Sequence, residues 1–396
     1  MKKPKVFVGV SGGVDSSVAL ALLQKQGYDV TGVFLKVWHP DFLPCNWREE
    51  RRSAMRVCAT LGVPFLTLDC EAEYKKEVAD YMINEYKMGR TPNPDVFCNK
   101  YVKFGVFLKK ALEMGADYIA TGHYAIVKNQ NSFSGKILSE TEYSPAGEFL
   151  RARTDVLRDV PPKHSRSTSF DFFELHESVD GNKDQSYFLY TLTQEQLSHT
   201  LFPIGDMTKP QVRAYAKEFG LPTATKKDSQ GVCFLGLLDM KEFLAHYIET
   251  HEGDVLDRGG NVIGKHPGAL YFTIGERHGF TTYKKSDNDK PHYVIAKDMK
   301  KNTITVTELE ERKTQNEYTE HAQVELEKVS WVGAAPKKDE MLTAQLLYHG
   351  KKIACSVGET SMGKVHVILY ATPFIASGQS VVVYRGDECL GGGVVA

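Results

Sequence analysis

The apolar run Val6-Phe7-Val8-Gly9-Val10 breaks directly into Ser11-Gly12-Gly13-Val14-Asp15-Ser16-Ser17. A short buried strand that ends in a glycine-rich hydroxyl loop and then enters a helix forms a phosphate cradle. The glycines let the backbone approach an anion, and the amides that open the helix face it with the positive end of the dipole. The loop is not of the Walker A kind, because no Gly-Lys-Ser/Thr follows and no lysine of the loop reaches a β- or γ-phosphate.

The first 125 residues alternate strand and helix. Strands are expected at 5–10, 29–37, 64–70 and 118–120, with helices at 14–26, 47–61, 72–88 and 99–114. Phe104, Phe107, Leu108 and Leu112 share one face of the last helix. This order implies α/β architecture with a doubly wound parallel sheet. Ligands of such sheets sit beyond the carboxyl ends of the strands, where Ser11–Ser16, Leu35 and Gly122 would converge. Residues 128–182 turn polar and contain Pro161-Pro162, as expected of a long insertion. Helical pattern returns over 194–219 and closes at Gly220-Leu221-Pro222. After about residue 240, short β-type runs separated by glycine-rich turns continue to the C-terminus, consistent with two small all-β domains, the last a β-barrel. The expected domains are 1–236, including a helical segment 194–236, then 240–308 and 314–396.

At 396 residues the chain exceeds a single core. No stretch approaches the ~20 unbroken apolar residues of a membrane span, and Met1-Lys2-Lys3-Pro4 runs straight into a strand, so neither a membrane nor a signal peptide is expected. The formal net charge is −1, so a nucleic-acid partner would be held by local patches rather than by the global field. Two such patches are Lys209, Arg213, Lys217, Lys226 and Lys227, and Arg151, Arg153, Arg158, Lys163 and Arg166; taken alone, each reads more readily as a solvated face.

The seven cysteines show no CxxC pairs, which argues against a disulfide framework or a structural zinc site and favours a reducing, cytoplasmic compartment. Cys98 follows Asn93-Pro94-Asp95-Val96-Phe97, and the prolines force an extended approach with Asn99 placed to cap the next helix. A thiol there, with Lys100 and Lys103 one turn on, is either an activated nucleophile or a small packing residue. Cys233 lies between Gly231 and Gly236, on a loop that could expose it or pack it. Cys45, Cys58, Cys70, Cys355 and Cys389 read as structural.

Ser-Gly-Gly-x-Asp-Ser resembles the loop of the PP-loop ATP pyrophosphatases. Three more strings extend the likeness: Thr121-Gly122-His123-Tyr124-Ala125, Gly181-Asn182-Lys183-Asp184-Gln185-Ser186-Tyr187-Phe188-Leu189, and Cys389-Leu390-Gly391-Gly392-Gly393. With both cysteine motifs in the same order, nearly the whole chain resembles the MnmA/TrmU family of tRNA-specific 2-thiouridylases. The resemblance implies a sulfurtransferase that uses ATP to adenylate O2 of the wobble uridine and then replaces that oxygen with sulfur, releasing AMP and pyrophosphate. Gly9, Val10, Ser11, Gly12, Gly13, Val14, Asp15 and Ser16 would hold the ATP phosphates with Mg²⁺ on them, and Leu35 and Gly122 would line the adenosine pocket. Cys233 matches the persulfide carrier and Cys98 the nucleophile. Cys98 either attacks C2 or reduces the persulfide to release hydrosulfide, and both routes end in a transient Cys98–Cys233 disulfide. Asn93, Pro94 and Asp95 match contacts to the target base; Lys183, Asp184, Gln185, His123 and Gln379 match other tRNA contacts. The implied partners are tRNAs of the Lys, Glu and Gln type and an upstream sulfur donor, either a cysteine desulfurase or a sulfur-relay carrier.

Two departures stand out. Leu347-Tyr348 replaces the family's common Arg-Tyr pair, and the stretch between His123 and Lys183 is longer than in most bacterial members, as either an RNA clamp or a surface insertion. Two other function classes compete. One is a nitrogen-transferring PP-loop enzyme, which would not need two cysteines; the other is an RNA-binding protein with a decayed nucleotide site, which the intact loop disfavours.

Overall fold

The computed structural model describes residues 3–42, 47–130, 171–227, 240–283, 290–308, 321–361, 364–371 and 373–396. The four strands expected in the first 125 residues, joined by a fifth at Thr200–Leu201, form a sheet with all neighbours parallel, in the order β3-β2-β1-β4-β7. These strands are β1 (Lys5–Gly9), β2 (Asp29–Lys36), β3 (Phe65–Asp69), β4 (Tyr118–Ala120) and β7 (Thr200–Leu201). The continuous apolar run of β1 is explained by burial on both faces, as parallel strands require. Val6 and Val8 pack with helix α1 (Val14–Lys25), helix α2 (Trp47–Leu61) and the Lys209–Glu218 helix. Phe7 points the other way, into a core with Tyr74, Val102, Phe104 and Phe107.

One expectation fails at the sheet's edge. The helical pattern over 194–219 is broken: a short helix at Gln194–Ser198 gives way to β7 before the Lys209–Glu218 helix begins. β-Branched Thr200 next to Leu201, with Pro203 and Gly205 after it, ends the first helix and lets the chain add an edge strand.

The stretch read as a 128–182 insertion is shorter where it is described. β5 (Ala125–Asn129) and β6 (Phe173–Glu177) form an antiparallel hairpin with Asn129 opposite Phe173. Residues 131–170, with the basic patch Arg151, Arg153, Arg158, Lys163 and Arg166, lie outside the described residues. β6 continues the pairing onto the last strand of the chain, Cys389 opposite Leu175.

Beyond residue 240 the chain is β-rich. A five-stranded sheet orders Thr281–Thr282, Val262–His266, Gly253–Leu256, Thr303–Glu308 and His292–Asp298. Six antiparallel strands then close a barrel, because Ala322–Trp331 pairs with both Lys364–Leu369 and the final Glu388–Val395. The Gly391-Gly392 pair sits at that closure. A Cβ on Gly391 would lie 2.2 Å from Ser330 O and one on Gly392 2.1 Å from Val381 O, so only glycine lets the neighbouring strands approach.

The barrel is fastened to the first domain beside residues 90–95. Arg90 donates from Nε to Glu85 Oε2 (2.6 Å), bridges to the Glu327 carboxylate, and donates to Val395 O at 3.0 Å. Lys328 Nζ donates to the other Glu85 oxygen at 3.2 Å. The Thr91 amide donates to Ser377 O at 2.8 Å, and Tyr187 OH donates to Leu346 O and Ser380 O.

Candidate active site

The phosphate loop sits at the carboxyl end of β1, as expected. Gly12 has φ +77°, a left-handed conformation that other residues rarely adopt. Gly13 caps α1 with no side-chain acceptor, so the first-turn amides are left for an anion. The serines brace the loop: Ser17 Oγ donates to Gly13 O at 2.6 Å, and Ser11 N donates to Ser16 Oγ at 3.3 Å. Gly122, just past β4, abuts this helix start so closely that a Cβ there would lie 2.5 Å from Ser16 N. Leu35 lies at the same end of β2, buried with Phe7. Loop, Leu35 and Gly122 therefore converge.

Asp15 is held from two directions. Lys209 Nζ donates to both of its oxygens at 2.8 Å, and Tyr124 OH donates to Oδ1 at 2.8 Å. A second lysine reaches the loop itself, Lys226 Nζ donating to Gly12 O at 2.9 Å, where Ser53 Oγ also donates at 3.1 Å. The first basic patch is thus not simply a solvated face. Lys209 is nearly buried and, with Lys226, converges on the loop, whereas Lys217 stays exposed. Sequence reading missed both roles because the contacts span 194 and 214 residues. The available signal was a run of lysines downstream of a phosphate loop that has none.

Among the described residues no group of three or more His, Cys, Asp or Glu side chains could hold a metal ion. Asp15 is the loop's carboxylate and Lys209 already engages it. That donor set suits Mg²⁺ carried on phosphate oxygens and water rather than an all-protein cage.

Cys98 is placed differently from the local expectation. The helix begins earlier, at Pro94, with Asn93 as its cap and Asn93 Oδ1 accepting from Val96 N at 3.5 Å. Asn99 is no cap. It is buried, and its Nδ2 donates to Phe188 O at 3.0 Å. Cys98 opens a π-helical segment, Cys98–Phe107, one turn into the helix, and is fully buried in the core with Val96, Phe97 and Val102. π-Helical turns within α-helices are rare and concentrate at functional sites. Cys233 lies outside the described residues, as does Cys45. The structural reading suits the other four cysteines: burial pushes the thiols of Cys58 and Cys70 up to about 11 and Cys355 to about 12, and raises Cys389 further.

The residues matched to tRNA contacts gather at the seam between the first domain and the barrel. Tyr348 packs on Phe188 with ring centroids 4.5 Å apart. Its hydroxyl is pushed up to about 12 by burial first, then by the negative charges of Asp184, Asp180 and Asp95. Asn93 hydrogen-bonds Tyr187 in the same neighbourhood. Asp184 and Gln185 brace their own loop: Asp184 accepts from Ser178 N and Ser186 Oγ, and Gln185 Oε1 accepts from Tyr124 N. Lys183 stands at the outer end of that loop, half-buried. Gln379 accepts from Ala376 N in the barrel loop that touches Thr91.

His123 stands apart. It is buried against Phe104 and Phe202, with Nδ1 2.7 Å from Thr121 Oγ1 and Nε2 3.3 Å from Lys103 Nζ. Burial first, and the Lys103 charge second, hold its pKa well below the usual imidazole range. An ammonium only donates, so Nε2 accepts from Lys103, and the proton of the neutral ring sits on Nδ1 and is donated to Thr121.

Three family profiles tile the chain: "tRNA methyl transferase HUP domain" over residues 4–237, "tRNA methyl transferase PRC-barrel domain" over 241–308, and "Aminomethyltransferase beta-barrel domain" over 321–395. The protein named tRNA-specific 2-thiouridylase MnmA of Geobacillus thermodenitrificans is 40% identical over 395 residues, covering 99% of this chain and 94% of that relative. Its namesakes in Thiobacillus denitrificans and Bacillus subtilis are each 39% identical over 396 residues, covering 99% of this chain and 99% and 94% of those relatives. Among solved structures, the U34-tRNA thiolase NcsA of Methanococcus maripaludis overlaps 62% of this chain and 64% of its own at 13% identity and a TM-score of 0.33. A likeness that loose carries no argument.

Proposed function

This chain belongs to the MnmA family of tRNA-specific 2-thiouridylases, and we propose that it exchanges O2 of a wobble uridine for sulfur by way of an adenylated intermediate. It is a tRNA sulfurtransferase. The observation that carries the mechanism is the phosphate loop: uncapped first-turn amides, an Asp15 fixed by Lys209 and Tyr124, and two lysines converging from another part of the chain.

In this reading Gly9–Ser16 bind the ATP phosphates with Mg²⁺ on them, and Leu35 and Gly122 border the adenosine. The O2 lone pair of the uracil attacks the α-phosphorus, and the bond to the bridging oxygen breaks, so that pyrophosphate leaves with the electron pair. The uracil O2 then departs as AMP, a far better leaving group than the original carbonyl oxygen. Sulfur comes from a persulfide on Cys233, loaded by an upstream cysteine desulfurase or relay carrier. Cys98 acts either on C2 or on the persulfide, and the Cys98–Cys233 disulfide left behind is reduced by a cellular thiol before the next turnover. Asn93–Asp95, Lys183–Gln185, Gln379 and Tyr348 surround the flipped base and anticodon, a base that must leave its stack for chemistry at C2. His123, buried and neutral, is held by Lys103 and Thr121 in the free protein, and its contact with tRNA forms on binding in this reading. In this reading the chain divides into 1–236, 240–308 and 314–396, and the RNA lies along the seam between the first and last of these units. tRNAs of the Lys, Glu and Gln type are the substrates, and the cytoplasm, where ATP, tRNA and thiol reductants meet, is the compartment.

The test is mass spectrometry of nucleosides from tRNA incubated with the protein, ATP and a persulfide source. 2-Thiouridine appears with the wild type, and vanishes without ATP and in the Cys98→Ser and Cys233→Ser variants. Full product from both variants would overturn the sulfur-transfer mechanism.

A further inference from the structure

The loop contains no lysine, yet an ammonium stands on it. We propose that Lys226 is the cation that binds the β- and γ-phosphates of ATP and follows the departing pyrophosphate, a role that in other nucleotide loops falls to a lysine of the loop itself. The assignment deepens the ATP-dependent reading above and rests on it.

Three observations place Lys226 there. Its Nζ donates to Gly12 O at 2.9 Å. That carbonyl and Gly13 N are the two ends of one trans peptide and point to opposite sides, so the ammonium lies within about 5 Å of the helix start and reaches an anion there by swinging its flexible side chain around the loop. The backbone of Lys226 is also fixed: Arg213 Nη1 donates to Ala224 O at 3.2 Å and to Lys226 O at 3.1 Å, which anchors the turn after the Lys209–Glu218 helix. Finally, the present partners of Lys226 can release it cheaply. Gly12 O also accepts from Ser53 Oγ at 3.1 Å, so losing the lysine leaves no orphaned acceptor. Glu50, whose pKa is raised by burial, is an electrostatic partner of Lys226 but forms no bonded clamp with it.

Lys209 does not compete for the role. Both Asp15 oxygens hold its ammonium at 2.8 Å, so that pair presents little net charge and instead fixes the start of α1. The helix dipole adds only about half a charge, which is small against a triphosphate. Lys226 is exposed and bonded to a neutral carbonyl. A phosphate oxygen is a stronger acceptor for an ammonium than a carbonyl is, so the same side chain moves from Gly12 O to the phosphates when ATP arrives. It then stabilises negative charge as the bond between the α-phosphorus and the bridging oxygen lengthens. Such a group acts mainly on the β and γ positions and leaves AMP recognition unchanged.

The experiment is calorimetric binding of ATP and of AMP to the full-length protein, without tRNA so that no turnover occurs. Lys226→Met should weaken ATP binding by about tenfold to about a hundredfold, the range of one charge-assisted hydrogen bond, with AMP affinity changed by less than about twofold. Lys226→Arg should recover most of the loss, and Lys217→Met, an exposed lysine of the neighbouring helix, should bind ATP as the wild type does. The assignment is overturned if Lys226→Met keeps wild-type ATP affinity, or if it loses ATP and AMP equally. A wild type that binds neither nucleotide would overturn the ATP reading itself, and this assignment with it.

Discussion

Gly122→Ala puts one methyl group where the fold has no room for it. The added Cβ would lie 2.5 Å from Ser16 N, 2.7 Å from Asp15 C and 2.8 Å from Ser16 Cα, all backbone atoms at the start of α1. Ordinary contact begins near 3.4 Å, so the end of β4 and the phosphate loop must separate by about 0.9 Å. Neither side is a flexible side-chain tip that can swing aside. Overpacking of this kind costs about 1–3 kcal/mol, and backbone on both sides places Gly122 at the upper end. Displacing reacting groups by about 1 Å costs on the order of a hundredfold in rate. The variant should therefore melt several degrees lower, bind ATP more weakly, and release pyrophosphate about a hundredfold more slowly in the presence of tRNA. Differential scanning fluorimetry, calorimetry and a coupled pyrophosphate assay read the three quantities. Wild-type ATP affinity alongside a lowered melting temperature would refute the reasoning, because the close approach would then be structural and unrelated to the nucleotide site.

Lys209→Met leaves the Asp15 carboxylate with Tyr124 OH as its remaining partner and removes an ion pair largely shielded from solvent, and should destabilise the first domain by about 2 kcal/mol in urea titrations. Adding Asp15→Asn should recover part of that loss, whereas strict additivity would deny the coupling. Arg90→Met leaves the buried Glu85 carboxylate with Lys328 alone and unfastens Glu327 and Val395 O; it should cost about 3 kcal/mol and weaken tRNA retention on filters while sparing ATP binding. Equal loss of ATP binding would contradict a role confined to the seam. The depressed pKa of His123 makes stability depend on pH. Below about 6.5 an unfolded histidine binds a proton that the folded one refuses, so unfolding free energy falls as pH drops below that value, by up to about 1.4 kcal/mol per unit. His123→Asn should flatten that part of the profile, and an unchanged slope in the variant would show that other groups set it.

The phosphate loop, the parallel sheet and the closed C-terminal barrel were legible because each rests on local pattern: a buried strand before glycines, alternation of strand and helix, glycine-marked turns. β7 was not, because two residues of strand carry no periodicity and their place is set by pairing with β4 across 81 residues. The capping residue was misplaced from Asn93 to Asn99 because Pro94 reads equally well as an extended link and as the first residue of a helix. The Gly391-Gly392 string read as a family marker, and the structure gives it a cause, the closing of the barrel. Lys209 and Lys226 were legible as charge but not as partners of Asp15 and Gly12, since tertiary contacts of that range leave no local trace. Cys98 read either as an activated thiol or as a packing residue, and its full burial follows from packing that the sequence around it does not display.

The proposed mechanism cleaves one ATP for each sulfur delivered. Counting pyrophosphate and 2-thiouridine in the same quenched reaction, with limiting tRNA and a persulfide-loaded enzyme, tests it most directly. Equal amounts of the two products are expected, with no pyrophosphate when the tRNA carries cytidine at the wobble position. 2-Thiouridine accumulating without an equal yield of pyrophosphate would contradict it.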